Sequence, residues 1–363
     1  MPVQTNKYFD ALIIGGGIIG MLTARNLQIQ GLNVALIEKG TLGSQATWAA
    51  GGILSMLKPW HTNRCSQALV DEGRTHFAAQ IEELKRETGV DSEYIQSGML
   101  VMDCDEKQQA HAWAKEKNEI VEYLDRTKIQ AIEPALEKHF QHALYVPKIA
   151  QVRPPKLIQA LHQSLMQRPI TIYENTPVTQ LKIKKNQVLG VKTDNTTLYA
   201  NNIVLCSGAW TKNLLKQKTG VDIEPVRGQM LLYKTANTLL KRIILHDNAY
   251  LIPRKDGHIL CGSTLEHVGF ENKVTLEAKL ELENTAQNLL PELAQHEPIK
   301  QWSALRPGTQ QNAPYICHHP IIKGLYINSG HFRYGIVMSI ASARIITDLV
   351  AKSQNSSQIA KFA

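Results

Sequence analysis

Residues 8–39 read YFDALIIGGGIIGMLTARNLQIQGLNVALIEK, and this stretch decides the fold. Its two apolar runs, 8–14 and 33–37, are typical of buried parallel strands. Residues 18–30 between them have the apolar spacing of an amphipathic helix. The pattern G-x-G-x-x-G is formed by Gly15, Gly17 and Gly20 where the first strand turns into this helix. Together these features predict a strand–helix–strand unit that binds a dinucleotide.

The three glycines have separate physical roles in such a unit. The first permits a tight turn, the second lets the backbone approach a pyrophosphate, and the third lets the helix pack closely on the strand. The N-terminus of the helix then faces the anion. Glu38, eighteen residues after Gly20, is placed to accept hydrogen bonds from a ribose diol. A glycine-rich turn without a ligand is the alternative, and the motif alone does not separate FAD from NAD.

The whole chain has an ordinary globular composition, with 363 residues of which 43% are hydrophobic and 20% are charged. This length allows two domains or one elaborate domain. We expect no membrane span, because no segment approaches the uncharged apolar length that crosses a bilayer. The polar residues 1–10 lead directly into the first strand and lack the pattern of a signal peptide. The expected location is therefore the cytoplasm.

Cysteine, histidine and charge patterns exclude several classes of function. The histidines show no H-x-x-x-H or H-E-x-x-H spacing, so we expect no metal site. The net charge of +8 comes from 40 basic and 32 acidic residues. The basic residues are scattered, which does not favour nucleic acid but would mildly attract anionic ligands. A homo-oligomer stays possible. The cysteines are odd in number and far apart, which favours a reducing compartment over a disulfide framework: Cys65, Cys104, Cys206, Cys261 and Cys317.

The order of the elements predicts an α/β fold built from two interleaved domains. Helices are predicted at 66–88, 105–124, 275–293 and 336–350, and short strands at 178–183, 188–193, 203–205 and 325–328, with strands predominating from 226 to 263. A Rossmann-like nucleotide domain is expected to contain residues 1–85, 147–224 and 318–363. A smaller antiparallel-sheet substrate domain is expected to contain residues 86–146 and 225–317. The ligand should lie in the crevice at the carboxyl ends of the parallel strands.

Further sequence blocks identify a family. They follow the glycine motif in order: Thr47 to Leu54, Ser207-Gly208-Ala209-Trp210, Pro225-Val226-Arg227-Gly228-Gln229, Tyr250-Leu251-Ile252-Pro253-Arg254, Leu305-Arg306-Pro307-Gly308-Thr309 and Gly330-His331-Phe332-Arg333-Tyr334-Gly335. On these blocks the chain resembles the D-amino-acid-oxidase-like family of FAD enzymes from about Phe9 to Val350. The resemblance is strongest to the glycine oxidases linked to thiamine biosynthesis. It implies an FAD-binding Rossmann-like domain.

The resemblance also implies which residues hold the cofactor. The family residues that hold the adenosine half of FAD correspond here to Ile18, Ile19, Glu38 and Lys39, and the one on the adenine side corresponds to Val178. The family residues beside the flavin correspond to Ala46, Thr47, Gly51, Gly52 and Ile53. The family backbone that lies at the pyrimidine end of the isoalloxazine ring corresponds here to His331, Phe332, Arg333, Tyr334, Gly335, Ile336 and Val337. The positive end of a helix starting at Ile336 would stabilise negative charge on the reduced flavin. The alternative for 47–54 is a small-residue loop packed on the first helix.

Three residues are candidates for substrate binding. A planar guanidinium with two parallel donors suits an α-carboxylate, so Arg306 is the first candidate. Arg333 is expected to donate to the substrate or to an oxygen at the flavin edge, and the resemblance places the Tyr250 hydroxyl on the substrate carboxylate. The alternatives are a surface turn for Arg306, a solvated loop for Arg333 and a core position for Tyr250.

The chain departs from the family pattern at a few positions. Leu245 and Asn248 stand where these glycine oxidases often carry aromatic or imidazole groups, and Trp48 replaces a small residue. The size of the pocket is therefore left open. The sarcosine-oxidase branch attaches its flavin through a cysteine near the position of Leu305, and leucine cannot form that bond. Non-covalent FAD is therefore expected.

These residues lead to one main functional hypothesis and two alternatives. The main hypothesis is a flavin-dependent oxidase that converts glycine, sarcosine, D-alanine or another small amino acid to a 2-oxo acid, ammonia and hydrogen peroxide, with molecular oxygen as the acceptor. One alternative is a D-amino acid dehydrogenase that passes electrons to a quinone or another acceptor. The other is a flavin or nucleotide sensor without catalysis, which leaves Arg306, Arg333 and Tyr250 without a shared purpose.

Overall fold

The computed structural model describes residues 7–61, 63–215 and 220–359, without the side chains of 353–359. The predicted polar N-terminal segment lies partly outside this range, as do both ends of the expected nucleotide domain. The strands are β1 Lys7–Ile14, β2 Val34–Ile37, β3 Met99–Met102, β4 Glu122–Asp125, β5 His142–Val146, β6 Ile170–Tyr173, β7 Val178–Lys184, β8 Gln187–Thr193, β9 Thr197–Leu205, β10 Glu224–Lys234, β11 Ile243–His246, β12 Ala249–Pro253, β13 His258–Gly262, β14 Lys300–Gly308, β15 Tyr315–His318 and β16 Leu325–Ser329. The helices are α1 Ile18–Ile29, α2 Ala46–Ala49, α3 Arg64–Thr88, α4 Lys107–Lys117, α5 Arg126–Ile132, α6 Pro154–Met166, α7 Thr211–Leu215, α8 Leu276–Leu289 and α9 Gly335–Ile359.

The first sheet confirms the predicted strand–helix–strand unit. Its order is β15-β16-β9-β1-β2-β6, and β16, β9, β1, β2 and β6 are mutually parallel. The hairpin β7–β8 is attached through β9, and β15 is an antiparallel edge. Residues 11–14 of β1 and all of β2 are buried, whereas Tyr8 is exposed and stacks on Tyr199. The apolar run at the start of the chain is therefore buried at its C-terminal half, next to the turn.

The second sheet has the order β14-β10-β13-β12-β11-β3-β5-β4. Its neighbours are antiparallel except for β3 and β11, which run parallel. The expected antiparallel sheet is therefore mixed at one pair, because β3 comes from a separate stretch of chain and joins the edge of a meander formed later. Helix α8 packs on this sheet against β10 and β13.

Two predicted helices end earlier than expected. Helix α4 stops at Asn118, which adopts a left-handed conformation (φ 52°), and residues 122–124 of the predicted helix form β4 instead. Pairing with β5 and burial of Leu124 outweigh the local helical pattern. Helix α8 ends at Leu289, two residues before Pro291, which starts a 3₁₀ turn. The elements that were not predicted are α2, α5, α6, α7, β3, β5, β6, β14 and β15.

Helix α9 corrects the expectation that no segment is apolar enough to cross a membrane. The segment Phe332–Lys352, which contains the 3₁₀ turn before α9 and most of the helix, meets the requirement by length and composition, with a mean hydropathy of 1.4. More than half of this window (56%) is buried, because the helix packs between α1 and α3. It is a core helix that packs with α1 and α3, and it does not span a membrane.

The two sheets support the proposed interleaving of domains. Every strand between residues 99 and 146 or between 224 and 308 belongs to the second sheet, and the other described strands belong to the first. We keep the domain boundaries as a proposal, with the last one moved ahead of Tyr315, where β15 begins.

Candidate functional site

A long cavity lies where the two sheets meet. Its floor is formed at the carboxyl ends of β1, β2, β9 and β16, where Ile14, Ile37, Cys206 and Ser329 line the wall. Its other side is formed by β10, β12 and β14 of the second sheet. This is the crevice predicted for the ligand of an open parallel sheet.

The glycine turn has the geometry that its sequence predicts. Gly15 has φ +109°, and Gly17 is the residue before the first turn of α1. Gly20 packs against the carbonyl oxygen of Gly15, so a side chain at position 20 would separate helix from strand. One amide of the first helical turn already has an acceptor within the protein, because Ile18 N–H donates a hydrogen bond to Thr47 Oγ1 at 3.1 Å. The exposed part of the helix N-terminus still opens into the cavity.

Glu38 lies at the same end of the cavity. Its carboxylate accepts hydrogen bonds from Gly16 N–H (2.6 Å) and Gly40 N–H (3.0 Å), which fix it at the end of β2. Lys39 beside it lies over the ring of Trp210, 3.0 Å from the centroid, and burial lowers the pKa of its ammonium. Trp210 belongs to a sequence block that suggested the family, but no role was predicted for it.

The cavity brings together most of the predicted site residues. The lining contains Gly15, Gly17, Ile18, Ile19, Glu38, Lys39, Ala46, Thr47, Gly51, Gly52, Ile53, Val178, Tyr250, Arg306, His331, Phe332, Arg333, Tyr334, Gly335 and Ile336. Two predicted residues do not line it. Gly20 lies behind the turn, and Val337 is fully buried with its carbonyl against Gly73 of α3. Val337 faces inward because it lies on the side of α9 that packs into the core.

Residues 46–55, called the flavin loop after the role that the family resemblance implies for them, are held by the second sheet. Trp302 Nε1 donates to the carbonyl of Ala49 at 3.1 Å, and Arg254 Nη2 donates to the carbonyl of Gly51 at 2.6 Å. Gly52 has φ +80° and lies against the carbonyl of Val152, where a side chain would not fit. Both glycines leave their backbone at the cavity surface.

Two buried polar atoms on the cavity wall support a polar ligand. The Ser55 hydroxyl and the Asn328 side-chain oxygen have no hydrogen-bond partner among the described residues, although both residues line the cavity. Buried polar groups are normally paired, so a ligand with polar atoms fits this wall. Ile53 and Leu57, two residues before and after Ser55, pack in the core that contains Tyr250, whereas its immediate neighbours Leu54 and Met56 belong to the core that contains α1 and α9, so Ser55 lies between the two cores. Sequence reasoning missed Ser55, since an isolated serine carries no signal.

Arg306, Arg333 and Tyr250 meet at the far end of the cavity. Arg306 Nη1 donates to the carbonyl of Thr264 (3.1 Å) and Nη2 to Ser263 Oγ (2.8 Å), while Arg333 donates to the carbonyl of Asn248 (3.2 Å). In the described ranges the side-chain hydrogen bonds of both arginines go to neutral oxygens and not to a carboxylate.

The pKa of the Arg306 guanidinium describes the electrostatics of this end. Burial lowers it below its ordinary value, Tyr250 raises it through its charge and a hydrogen bond, the charge of Arg333 lowers it, and the charge of Glu266, which pairs directly with Arg227, raises it. The guanidinium lies across Gly228, where there is no room for any side chain larger than hydrogen. The result is a site with two positive charges and no partner anion, which suits a carboxylate.

Burial keeps three further titratable groups of the lining, His331, Cys206 and Tyr334, neutral. Burial lowers the pKa of the His331 imidazole to about 3, and its Nε2 lies 2.9 Å from Ser342 Oγ. Burial raises the pKa of the Cys206 thiol to about 12 and also raises that of the Tyr334 phenol. Among the described lining residues Glu38 is the one carboxylate, and it follows β2 of the first sheet, whereas Arg306 lies on β14 of the second sheet. No described side chain at the arginine end is thus an evident strong base.

The departures from the family pattern lie outside the described cavity wall. Leu245 is fully buried in the core of the second sheet. Asn248 is exposed, and its backbone carbonyl accepts the hydrogen bond from Arg333. Trp48 packs edge-on against Trp302 at 5.5 Å. Leu305 does line the cavity. In the described chain no cluster of His, Cys, Asp or Glu could hold a metal, and all five cysteines are free.

Comparisons with known proteins agree with this geometry. The profile of the DAO family, described as FAD dependent oxidoreductase, matches residues 10–349. The glycine oxidase of Pseudomonas aeruginosa is 39% identical over 343 residues, covering 94% of each chain. The crystal structure of glycine oxidase from Geobacillus kaustophilus superposes with a TM-score of 0.90 at 28% identity, covering 96% of this chain and 95% of the other. That of Bacillus cereus glycine oxidase gives 0.88 at 31% identity, with 95% of both covered.

Proposed function

The chain belongs to the DAO family of FAD dependent oxidoreductases, and on this premise we propose that it oxidises glycine or another small amino acid such as sarcosine or D-alanine. The products would be a 2-oxo acid, ammonia and hydrogen peroxide. FAD is the cofactor, and the unpaired polar atoms and glycine surfaces of the cavity fit it.

The observation that carries the proposal is the pair of arginines without a partner anion. An amino acid must hold its carboxylate in a fixed place while its Cα–H points at the flavin. Arg306 is anchored on Thr264 and Ser263, so its guanidinium has a fixed orientation before substrate arrives. Tyr250 and Arg333 supply further donors at the same end. This preorganisation favours a small, singly charged substrate.

The titratable groups of the lining indicate the protonation state in which the substrate amine reacts. FAD, held by the glycine turn and the flavin loop, would supply a hydride acceptor for the substrate Cα and the electrons that reduce oxygen to hydrogen peroxide. The arginine end presents no carboxylate base among its described residues, so we propose that the substrate amine reacts in its neutral form. The two arginines favour this state because they disfavour a third positive charge nearby. Water then hydrolyses the imine to the 2-oxo acid and ammonia.

The N-terminus of α9 contributes at the flavin. Gly335 and Ile336 line the cavity, so the positive end of this 25-residue helix opens into it. We propose that it lies at the pyrimidine end of the ring, where it would stabilise negative charge. The roles of Ile18, Ile19, Glu38 and Lys39 toward adenosine are proposed on the same basis.

Other properties remain part of the proposal. Non-covalent FAD is supported by Leu305 and by the neutral, buried Cys206 thiol, which is poorly suited to bond a flavin. Free cysteines support a cytoplasmic location. The link to thiamine biosynthesis and a possible homo-oligomer rest on the resemblance to glycine oxidases.

One experiment tests the function directly. Purified protein should be yellow, and its flavin should bleach when glycine, sarcosine or D-alanine is added without oxygen. Admission of air should restore the colour with release of hydrogen peroxide. Failure to bleach with every small amine refutes the proposal. Turnover with an artificial acceptor but not with oxygen would identify the dehydrogenase, which the comparisons do not favour.

A further inference from the structure

Arg254 is a buried cation that the proposed reaction does not use. It follows β12 and is 6% exposed. Its Nη1 donates to Gln151 Oε1 (2.8 Å) and to the carbonyl of Val152 (2.9 Å), and its Nη2 donates to the carbonyl of Gly51 (2.6 Å). Arg254 is absent from the cavity lining, whereas Gly51 is part of it. The guanidinium therefore lies directly behind the flavin loop.

The charge of Arg254 has no direct counter-ion. All three of its acceptors are neutral oxygens, and no ion pair involves it among the described residues. The two acids near it are already engaged, since Arg153 lies 3.3 Å from Glu93 and 2.7 Å from Asp256. Burial and the charge of Arg153 lower the pKa of Arg254 to about 10, which still leaves it charged at neutral pH. A buried, unpaired cation is costly, and a structural contact alone does not require one.

The peptide that Arg254 holds is oriented relative to the cavity. A trans peptide is planar, with its carbonyl and its N–H pointing in opposite directions. Because the Gly51 carbonyl points at Arg254, the N–H of Gly52 points away from it, toward the cavity side of the loop. Val152 N–H donates to the Gly52 carbonyl at 2.9 Å, and Gly52 has φ +80°, so the next peptide is fixed as well. No hydrogen bond from Gly52 N–H is seen within the described chain.

We propose that Arg254 is a positioning residue for the flavin. It fixes the Gly51–Gly52 peptide with its N–H toward the ring, and its unpaired charge favours the reduced form of the cofactor. The inference rests on the proposed function, which places the flavin against this loop. Transfer of a hydride to a neutral isoalloxazine leaves it with one negative charge, while the substrate becomes an iminium that water hydrolyses. A cation behind the loop stabilises that negative charge through a dry, low-dielectric layer.

The test compares flavin midpoint potentials, which chemical reduction measures without any substrate. Arg254→Met keeps the length of the side chain and removes the charge, and Arg254→Lys keeps the charge without the fork. In the FAD-loaded Met variant the two-electron reduction equilibrium should be at least tenfold less favourable, a fall of about 30 mV. Sulfite adds to flavin as an anion, so its dissociation constant should rise by a similar factor. The Lys variant should lie between the Met variant and the wild type.

Arg344→Met is the matched control, since it removes an exposed cation that pairs with Glu72 away from the described lining. Its reduction equilibrium should stay within twofold of the wild type. An unchanged potential in flavin-loaded Arg254→Met overturns the inference. If that variant does not fold, Arg254→Gln replaces it, and equal potentials for Gln and Lys then overturn the inference. Failure of the proposed function is distinguished separately, because the wild-type protein would then not bleach with small amino acids although its potential remained measurable.

Discussion

Replacement of Arg306 by alanine tests the substrate site most directly. The guanidinium is anchored by Thr264 and Ser263 and has no counter-ion in the described structure, so a bound carboxylate would be its partner. Removal of one member of a desolvated charge pair costs about 3–5 kcal/mol. Since Arg333 remains at the same end, we expect the lower half of this range in kcat/KM for glycine, a loss of roughly 100- to 1,000-fold. Arg306→Lys should recover part of the loss, because an ammonium lacks the fork.

The assay is steady-state peroxide release with glycine and with ethylamine, which has no carboxylate. The ratio of the two kcat/KM values should collapse in Arg306→Ala, because ethylamine has no charge to leave unpaired. The flavin spectrum and Tm should stay close to those of the wild type. Arg344→Ala provides the matched control, since this exposed arginine on α9 pairs with Glu72 far from the described lining. Near-normal glycine activity in Arg306→Ala, or loss of flavin together with unfolding, would refute the assignment.

Three further perturbations follow from the same geometry. Gly228→Ala should lower kcat/KM for glycine about tenfold or more with FAD retained, because the added methyl group occupies the place of the Arg306 guanidinium; normal kinetics would contradict this. Ser55→Ala should raise KM for glycine severalfold, about 1 kcal/mol for one lost hydrogen bond, and an increase in the FAD dissociation constant instead would place the hydroxyl on the cofactor. His331→Gln should reduce the loss of stability in acid. Its folded pKa of about 3 lies below the unfolded value, so between about pH 6.5 and 3 the unfolded chain binds more protons and the wild type loses up to about 1.4 kcal/mol per pH unit. Melting curves at pH 7 and pH 5 measure this, with the exposed His76→Gln as control, and an equal acid loss in both variants would contradict the argument.

The sequence was sufficient where one local pattern determined the structure. The strand–turn–helix–strand unit at 8–39 formed as predicted, because its glycines and apolar runs agree with each other. The prediction failed at residues 122–124, where a helical pattern became β4. That strand exists because β5 and a buried Leu124 stabilise it, and neither contact is local in sequence. Tertiary pairing of this kind leaves no periodic signal.

The site was predictable to a similar extent. Residues whose type matched a chemical task, such as Arg306 and Glu38, line the cavity. Val337 was included because it continues a block, and the phase of α9 turns it into the core. Ser55 and Trp302 were missed, since their importance depends on what lies opposite them across the cavity or the loop. Their chemistry is ordinary, and only the three-dimensional arrangement gives it a role.

The distribution of charge joins these observations. Arg254, Arg306 and Arg333 surround the flavin loop and the arginine end of the cavity, and none has a bound carboxylate among the described residues. Three cations without a directly paired carboxylate would destabilise a cavity meant for a neutral ligand. They become favourable if the substrate brings one negative charge and the flavin acquires a second during the reaction. The attraction between these cations and a bound anion is testable with a carboxylate that lacks an amine, such as acetate. Acetate should protect the wild-type protein against unfolding. Arg306→Ala should abolish most of that protection, because it removes the main partner of the anion. Equal protection of both proteins would show that the positive charge at this end serves the fold alone.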